Sequence, residues 1–135
     1  MSLDPDTLAT PRDALVDVSA LAERLRTFAR ERAWEQFHSP KNLAMALTGE
    51  VGELVEIFQW MTEAESAGAG ADPETGTRIR EELADVLLYL VRLADVLQID
   101  LNAAVIDKLA TNAAKYPVDR SHGSAAKYTE LREPR

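Results

Sequence analysis

The chain has 135 residues, is 46% hydrophobic, and carries six glycines, six prolines and no cysteine. That is enough for one domain with a core, and it excludes a disulfide framework and any thiolate metal site. A formal net charge of −8 argues against a binder of nucleic-acid polymers, which needs a basic footprint, but not against a small phosphorylated ligand reached through a divalent cation.

Residues 1–16 contain Pro5 and Pro11 and little periodicity, so they read as a loose arm. They lack the basic start and apolar run of a signal peptide, and the most apolar stretch, Leu83 to Leu97, is broken by Asp85, Arg92 and Asp95. It is too short and too charged to span a bilayer, so a cytoplasmic protein without a membrane partner is expected. A first helix is predicted from Ser19 or Ala20 to Trp34, with Ser19 as N-cap and Leu21, Leu25, Phe28 and Ala29 as its stripe. After the break "QFHSPKN", Ser39-Pro40 begins a second helix that runs to about Glu63. The segment "AESAGAGADPETGT" is the longest internal loop. A third helix is predicted from about Thr77 to Leu97, and a fourth, capped by Asp100, from Leu101 to about Tyr116, where Pro117 stops it. The expectation is an all-α four-helix bundle over residues 17–117, followed by an extended tail over 118–135.

Two carboxylate pairs interrupt this pattern. The second helix has the stripe Leu47, Val51, Leu54, Phe58 and Met61, yet Glu50 falls inside its arc and Glu53 at its edge. In the third helix, with the stripe Ile79, Leu83, Val86, Leu90, Leu93 and Leu97, Glu82 falls inside and Asp85 at the edge. Glu50-Val51-Gly52-Glu53-Leu54 and Glu82-Leu83-Ala84-Asp85-Val86 share one pattern of acid, aliphatic, small, acid, aliphatic, and Gly52 and Ala84 are expected to let the helices approach closely. Trp60 and Tyr89 lie on the acid-bearing sides. If the helices pack antiparallel, the four acids converge. Like charges 4–6 Å apart repel by roughly 3–4 kcal/mol per pair at an effective dielectric near 20, so they must protonate, find basic partners or bind a cation. No Lys or Arg stands at the matching positions, and oxygen-only ligands suit Mg2+ or Mn2+. Glu56 and Glu81 point away from the stripes and read as surface.

The doubled motif, Glu50-x-x-Glu53, 28 residues, Glu82-x-x-Asp85, resembles the signature of the MazG-like, all-α nucleoside triphosphate pyrophosphohydrolases. "RAWEQFHSPKNLAMALTGEVGELVEIFQW", "EELADVLLYLVRLAD", "KLATNAAKYP" and the tail motif "KYTEL" look like its dCTP pyrophosphatase branch. The resemblance implies cleavage of a nucleoside triphosphate between the α and β phosphates to monophosphate and pyrophosphate, in the service of nucleotide house-cleaning. It implies that Glu50, Glu53, Glu82 and Asp85 hold Mg2+, with Glu53 taken as general base. It also carries Trp34, Phe37, His38, Trp60 and Tyr89 over as substrate contacts, and homodimers or tetramers as the assembly. Lys108, Asn112 and Lys115 share one face of the fourth helix and are phosphate-binding candidates, with an ordinary solvated face as the alternative. Lys127 and Tyr128 are candidates to close over the site. One departure bears on base choice: nine positions before Trp34, where the branch has a polar residue, stands Leu25.

Three other readings compete. A di-iron carboxylate bundle needs Glu-x-x-His pairs, and neither His38 nor His122 follows a glutamate by three. A non-enzymatic interaction module would match the acids with a partner's cations and be indifferent to Mg2+. A phosphoribosyl-ATP pyrophosphatase-like enzyme is disfavoured by the tryptophan-bearing segment and "FQW".

Overall fold

The computed structural model describes residues 14–130; most of the N-terminal arm and Leu131 of the tail motif lie outside the described residues. The described residues are helical, with no strand among them. They divide into two compact units, Val18–Ile99 and a second made of residues 14–17 with 100–130.

In the first unit, α1 spans Ser19–Glu31, with Val18 rather than Ser19 in the N-cap position. It stops three residues short of Trp34 because Ala33 adopts φ 52°, in the left-handed region. The Ala33 N–H then donates to the Arg30 carbonyl at 3.1 Å and the Trp34 N–H to the Ala29 carbonyl at 2.9 Å. This is a Schellman ending. It turns Trp34 back onto Phe28 of α1, ring centroids 5.7 Å apart and edge to face.

A 3-10 turn, Glu35–Phe37, leads to α2, Pro40–Phe58. Its start is as expected: the Ser39 hydroxyl accepts the Asn42 N–H at 3.2 Å and Pro40 takes the first position. Its end comes earlier than expected, since Thr62 begins a separate short helix, α3 (Glu63–Ala67). The Thr62 hydroxyl accepts the Glu65 N–H at 3.1 Å and donates to the Glu65 carboxylate at 3.0 Å. That reciprocal cap is a stronger local signal than continuation of α2.

The expected long loop is therefore mostly ordered helix: α3, a 3-10 turn at Ala69–Ala71, and then α4, Pro73–Val96. Asp72-Pro73 starts α4 as Ser39-Pro40 starts α2, with the Asp72 carboxylate accepting the Thr75 N–H at 2.9 Å. Gly76 lies inside the helix because a Cβ there would stand 2.5 Å from the Gly70 carbonyl oxygen. The glycine marks close packing of the 3-10 turn on α4, not a break. A second Schellman ending, with Gln98 at φ 55°, closes α4.

The main packing in this unit is α2 against α4, with α1 also against α4. The order is antiparallel, since Glu50 meets Glu82 mid-helix while His38, before α2, meets Arg92 near the end of α4. Leu43, Ile57, Val91 and Ala94 are buried, with Ala22 and Ala29 from α1. Part of the expected α4 stripe faces outward: Leu83, Leu90 and Leu97 are exposed, as is Leu87 beside them. A half-buried arc runs instead through Ile79, Glu82, Val86, Tyr89 and Leu93, beside the buried Val91, Arg92 and Ala94. Gly52 and Ala84 are likewise exposed, and a Cβ on Gly52 would meet nothing within 4 Å. At about 100° per residue, each lies some 200° around from the acid two positions before it. Facing acids thus turn the small residues away, contrary to the expectation that these would set the helix spacing.

In the second unit, α5 spans Leu101–Lys115, capped as expected by Asp100, whose carboxylate accepts the Ala103 N–H at 3.0 Å. The Asn102 side-chain oxygen accepts the Leu15 and Val16 N–H groups at 2.9 and 3.1 Å. A helical turn, α6 (Val118–Ser121), stands where an extended tail was expected. Tyr128 then packs on Tyr116, with the Lys115 ammonium 4.9 Å from its ring centroid.

Candidate functional site

The acids of α2 and α4 meet as their spacing requires. One carboxylate oxygen each from Glu50, Glu53 and Glu82 lies within 4.8 Å of the other two. Glu50 and Glu82 are half-buried and Glu53 is exposed. One oxygen of Glu50 and one of Glu82 are buried without a hydrogen-bond partner. Asp85 falls outside this trio, although its charge acts on both Glu50 and Glu82. Burial, followed by the adjoining Glu82 and Glu53 carboxyls, pushes the Glu50 pKa up to about 7. Burial, opposed by the Glu50 carboxyl and aided by the Glu53 and Asp85 charges, raises that of Glu82. Both glutamates thus resist ionising without a cation.

The trio fits a hard divalent ion. Octahedral Mg2+ with oxygens at about 2.1 Å sets two ligands no more than about 4.2 Å apart. A spread of up to 4.8 Å closes by small side-chain rotations or through a bridging water. The two orphaned carboxylate oxygens would gain the partner they lack.

One turn along α4 the chemistry changes. A cavity of about 170 Å³ opens among α1, α2, α4 and the segment between α1 and α2. Leu25, Phe28, Trp34, Leu43, Leu88 and Tyr89 make its apolar lining, with Asp85, His38 and Arg92 supplying polar groups. Trp34, His38, Tyr89 and Asp85 of the expected site are thus together, and Leu25 contributes an apolar wall. Phe37 and Trp60 do not line it; they are 59% and 89% exposed. Lys108, Asn112 and Lys115 are exposed residues of the second unit.

Sequence reasoning passed over Arg92, reading it only as an interruption of an apolar run. It is buried, at 8% exposure. Its Nε donates to His38 Nδ1 at 3.1 Å, and a terminal nitrogen reaches the Asp95 carboxylate at 3.5 Å. Arg26 holds the same carboxylate from α1 at 2.9 Å. The signal was available, since an arginine amid aliphatic residues is rarely buried unpaired. Burial, and then the Arg92 charge, lower the His38 pKa, so the ring is held neutral.

The MazG-like family matches over residues 46–131, which includes all four acids. Over 122 residues, covering 90% of this chain and 70% of each relative, the chain is 50% identical to dCTP pyrophosphatase 1 of Rattus norvegicus and 47% identical to that of Homo sapiens. The crystal structure of a pyrophosphatase from Archaeoglobus fulgidus superposes with a TM-score of 0.68 at 41% identity, covering 74% of this chain and 92% of that one. An acid-paired helical hairpin, a family match over most of the length and relatives near 50% identity agree: the chain belongs to the MazG-like family.

Proposed function

We propose that this enzyme hydrolyses a deoxynucleoside triphosphate between the α and β phosphates, releasing the monophosphate and pyrophosphate, with dCTP or a modified dCTP as substrate. The broader class, a nucleoside triphosphate diphosphatase, rests on the dCTP pyrophosphatases at 50% and 47% identity and on the pyrophosphatase structure. The observation that carries the reading is the convergence of Glu50, Glu53 and Glu82 within 4.8 Å, one helical turn from an aromatic cavity.

Glu50, Glu53 and Glu82 would hold Mg2+, with Asp85 beside them; such an ion would neutralise phosphate charge and make a nearby water a better nucleophile. Glu53, exposed at the rim of the trio, is suited to accept a proton from an attacking water. Trp34 and Tyr89 offer ring faces to a base, each stacking contact being worth roughly 1–3 kcal/mol. His38 adds a directional polar group, and Leu25 supplies shape without a hydrogen bond, so base choice depends on the remaining polar atoms. Lys108, Asn112 and Lys115 remain phosphate-binding candidates.

The exposed row Leu83, Leu87, Leu90 and Leu97 on α4, with Met45, Val55 and Trp60 on and after α2, supports a homo-oligomer in which a second copy covers these faces. No described helix is long and apolar enough to cross a membrane, and nucleotide house-cleaning in the cytoplasm is the proposed setting.

The test is incubation with each dNTP and NTP and with 5-methyl-dCTP, with and without Mg2+, products being separated by chromatography. Monophosphate and pyrophosphate, formed only with Mg2+ and best from a cytosine nucleotide, are expected. Diphosphate plus phosphate, or no turnover, overturns the reading.

A further inference from the structure

Beside the acid cluster lies a second polar assembly that metal chemistry does not use. Arg26, Asp95, Arg92 and His38 form a chain from the surface of α1, through α4, to the cavity. Arginine is always protonated and can only donate, so the imidazole nitrogen facing Arg92 must be an unprotonated acceptor. Neutral imidazole carries one proton, and with Nδ1 occupied that proton is on Nε2. Among the described residues Nε2–H has no hydrogen-bond partner, and His38 lines the cavity.

We propose that Arg92 is a positioning residue that locks His38 in its Nε2–H tautomer, so that the cavity offers a hydrogen-bond donor and selects a ligand ring whose edge carries an acceptor such as a carbonyl oxygen. The ligand half of this inference rests on the cavity being the base site of the proposed function; the tautomer half does not. The surroundings suit the role. Arg92 is held on two sides, by His38 and by Asp95, and Asp95 is neutralised further by Arg26. A free histidine populates both tautomers, whereas this one has no choice. An Nδ1–H tautomer would set a donor against a donor in a buried place, where an unmatched polar group is costly. A pyrimidine carbonyl beside the ring meets the donor; a ring edge carrying only an amino group meets another donor and is rejected.

The experiment uses the full chain labelled with 15N at histidine, with His122→Gln to assign the second histidine. Two-bond 15N–1H spectra above the histidine titration range are expected to show His38 protonated at Nε2 alone. A wild-type spectrum with the proton on Nδ1, or shared between both nitrogens, overturns the proposal outright and needs no variant. Arg92→Met removes the donor while leaving Asp95 its Arg26 partner; it is expected to give a tautomer mixture and to raise KM for dCTP about tenfold, the size of one hydrogen bond, with kcat little changed. Arg92→Lys, which can still donate, is expected to restore both the spectrum and most of KM. If Arg92→Met shifts the tautomer but leaves KM alone, the donor is not used by the substrate and the selectivity claim fails. Trp34→Ala separates the two levels. If it too leaves KM unchanged, the cavity is not the base site; if it raises KM while Arg92→Met does not, only the role of Arg92 is wrong.

Discussion

Glu50→Gln in the metal-free protein tests the acid cluster most directly. The Glu50 carboxyl is moved from 4.5 to about 7, by burial first and by its carboxyl neighbours second. The folded chain therefore holds that proton more tightly than the unfolded chain does. Between about pH 4.5 and 7 the folded state binds more protons, so this group's contribution makes stability fall as pH rises. At about 1.4 kcal/mol per tenfold in proton affinity the ceiling is about 3 kcal/mol. Glu50 is only half-buried and solvent screens it, so about 1 kcal/mol is the realistic size. Glutamine keeps the shape and cannot ionise. The variant is expected to match wild type near pH 4.5 and to exceed it at pH 8 by about 1 kcal/mol, or about 3–5 °C in Tm for a chain of this length. His38, whose pKa is lowered, contributes the opposite slope as its proton is lost. It is present in both proteins, so the difference between the two pH curves isolates Glu50. The assay is thermal unfolding followed by circular dichroism in EDTA from pH 4.5 to 8, repeated with Mg2+, which should raise wild type more than the variant. A variant less stable than wild type at pH 8 without metal would refute the reasoning, because Glu50 would then be ionised and paired in the fold.

Glu53→Gln and Asp85→Asn are each expected to cut turnover by at least about a hundredfold while leaving the circular dichroism spectrum unchanged; near wild-type activity in either removes that residue from the machinery. Gly76→Ala should lower the free energy of unfolding from urea titration by about 1–3 kcal/mol, because the new methyl meets a backbone carbonyl that cannot rotate away. Ala33→Gly should raise it by about 1 kcal/mol, since glycine adopts the left-handed φ of 52° that alanine holds under strain. A loss of stability in that variant would mean that the Schellman ending depends on the alanine methyl.

The acid pairs were legible because their signal is local: a carboxylate inside an apolar helical arc shows in any window of two turns, and two matching windows imply one another. Ser39-Pro40 and Asp100 were legible for the same reason, each cap being a property of three or four adjacent residues. Asp72-Pro73 carries the same signal but was outweighed by three glycines between positions 68 and 76. Gly76 reports close tertiary packing on Gly70, and sequence cannot tell that from a helix break. The end of α1 was missed because an alanine occupies the left-handed position where glycine is the usual cue. The cavity was legible only through family resemblance. Its lining is drawn from α1, from the turn that follows it, and from α2 and α4, and no periodicity links those segments. Half of the α4 stripe was misassigned because its leucines occur nearly all round the helix, leaving the acids as the better guide to the inner face.

That inner face of α4 ties the two parts of the site together. Glu82, Asp85, Tyr89 and Arg92 follow at spacings of three, four and three, a single helical stripe. It begins in the acid trio and ends at the Arg92–His38 hydrogen bond. At 1.5 Å per residue it covers about 15 Å, a distance over which a nucleotide with its phosphate chain can reach from one end to the other. On the proposed function, base and phosphates would be gripped from one rigid element, whose position is held by α2 on one side and by the Arg26–Asp95 ion pair from α1 on another. Precision of that kind favours helices over loops as carriers of a site. It also gives the two ends different kinetic signatures. Changes near Arg92 should appear in KM, where the base is bound, and changes near Glu82 in kcat, where charge is stabilised. Asp85 is the residue to watch, because it lines the cavity while its charge bears on Glu50 and Glu82, so its substitution should alter both constants together.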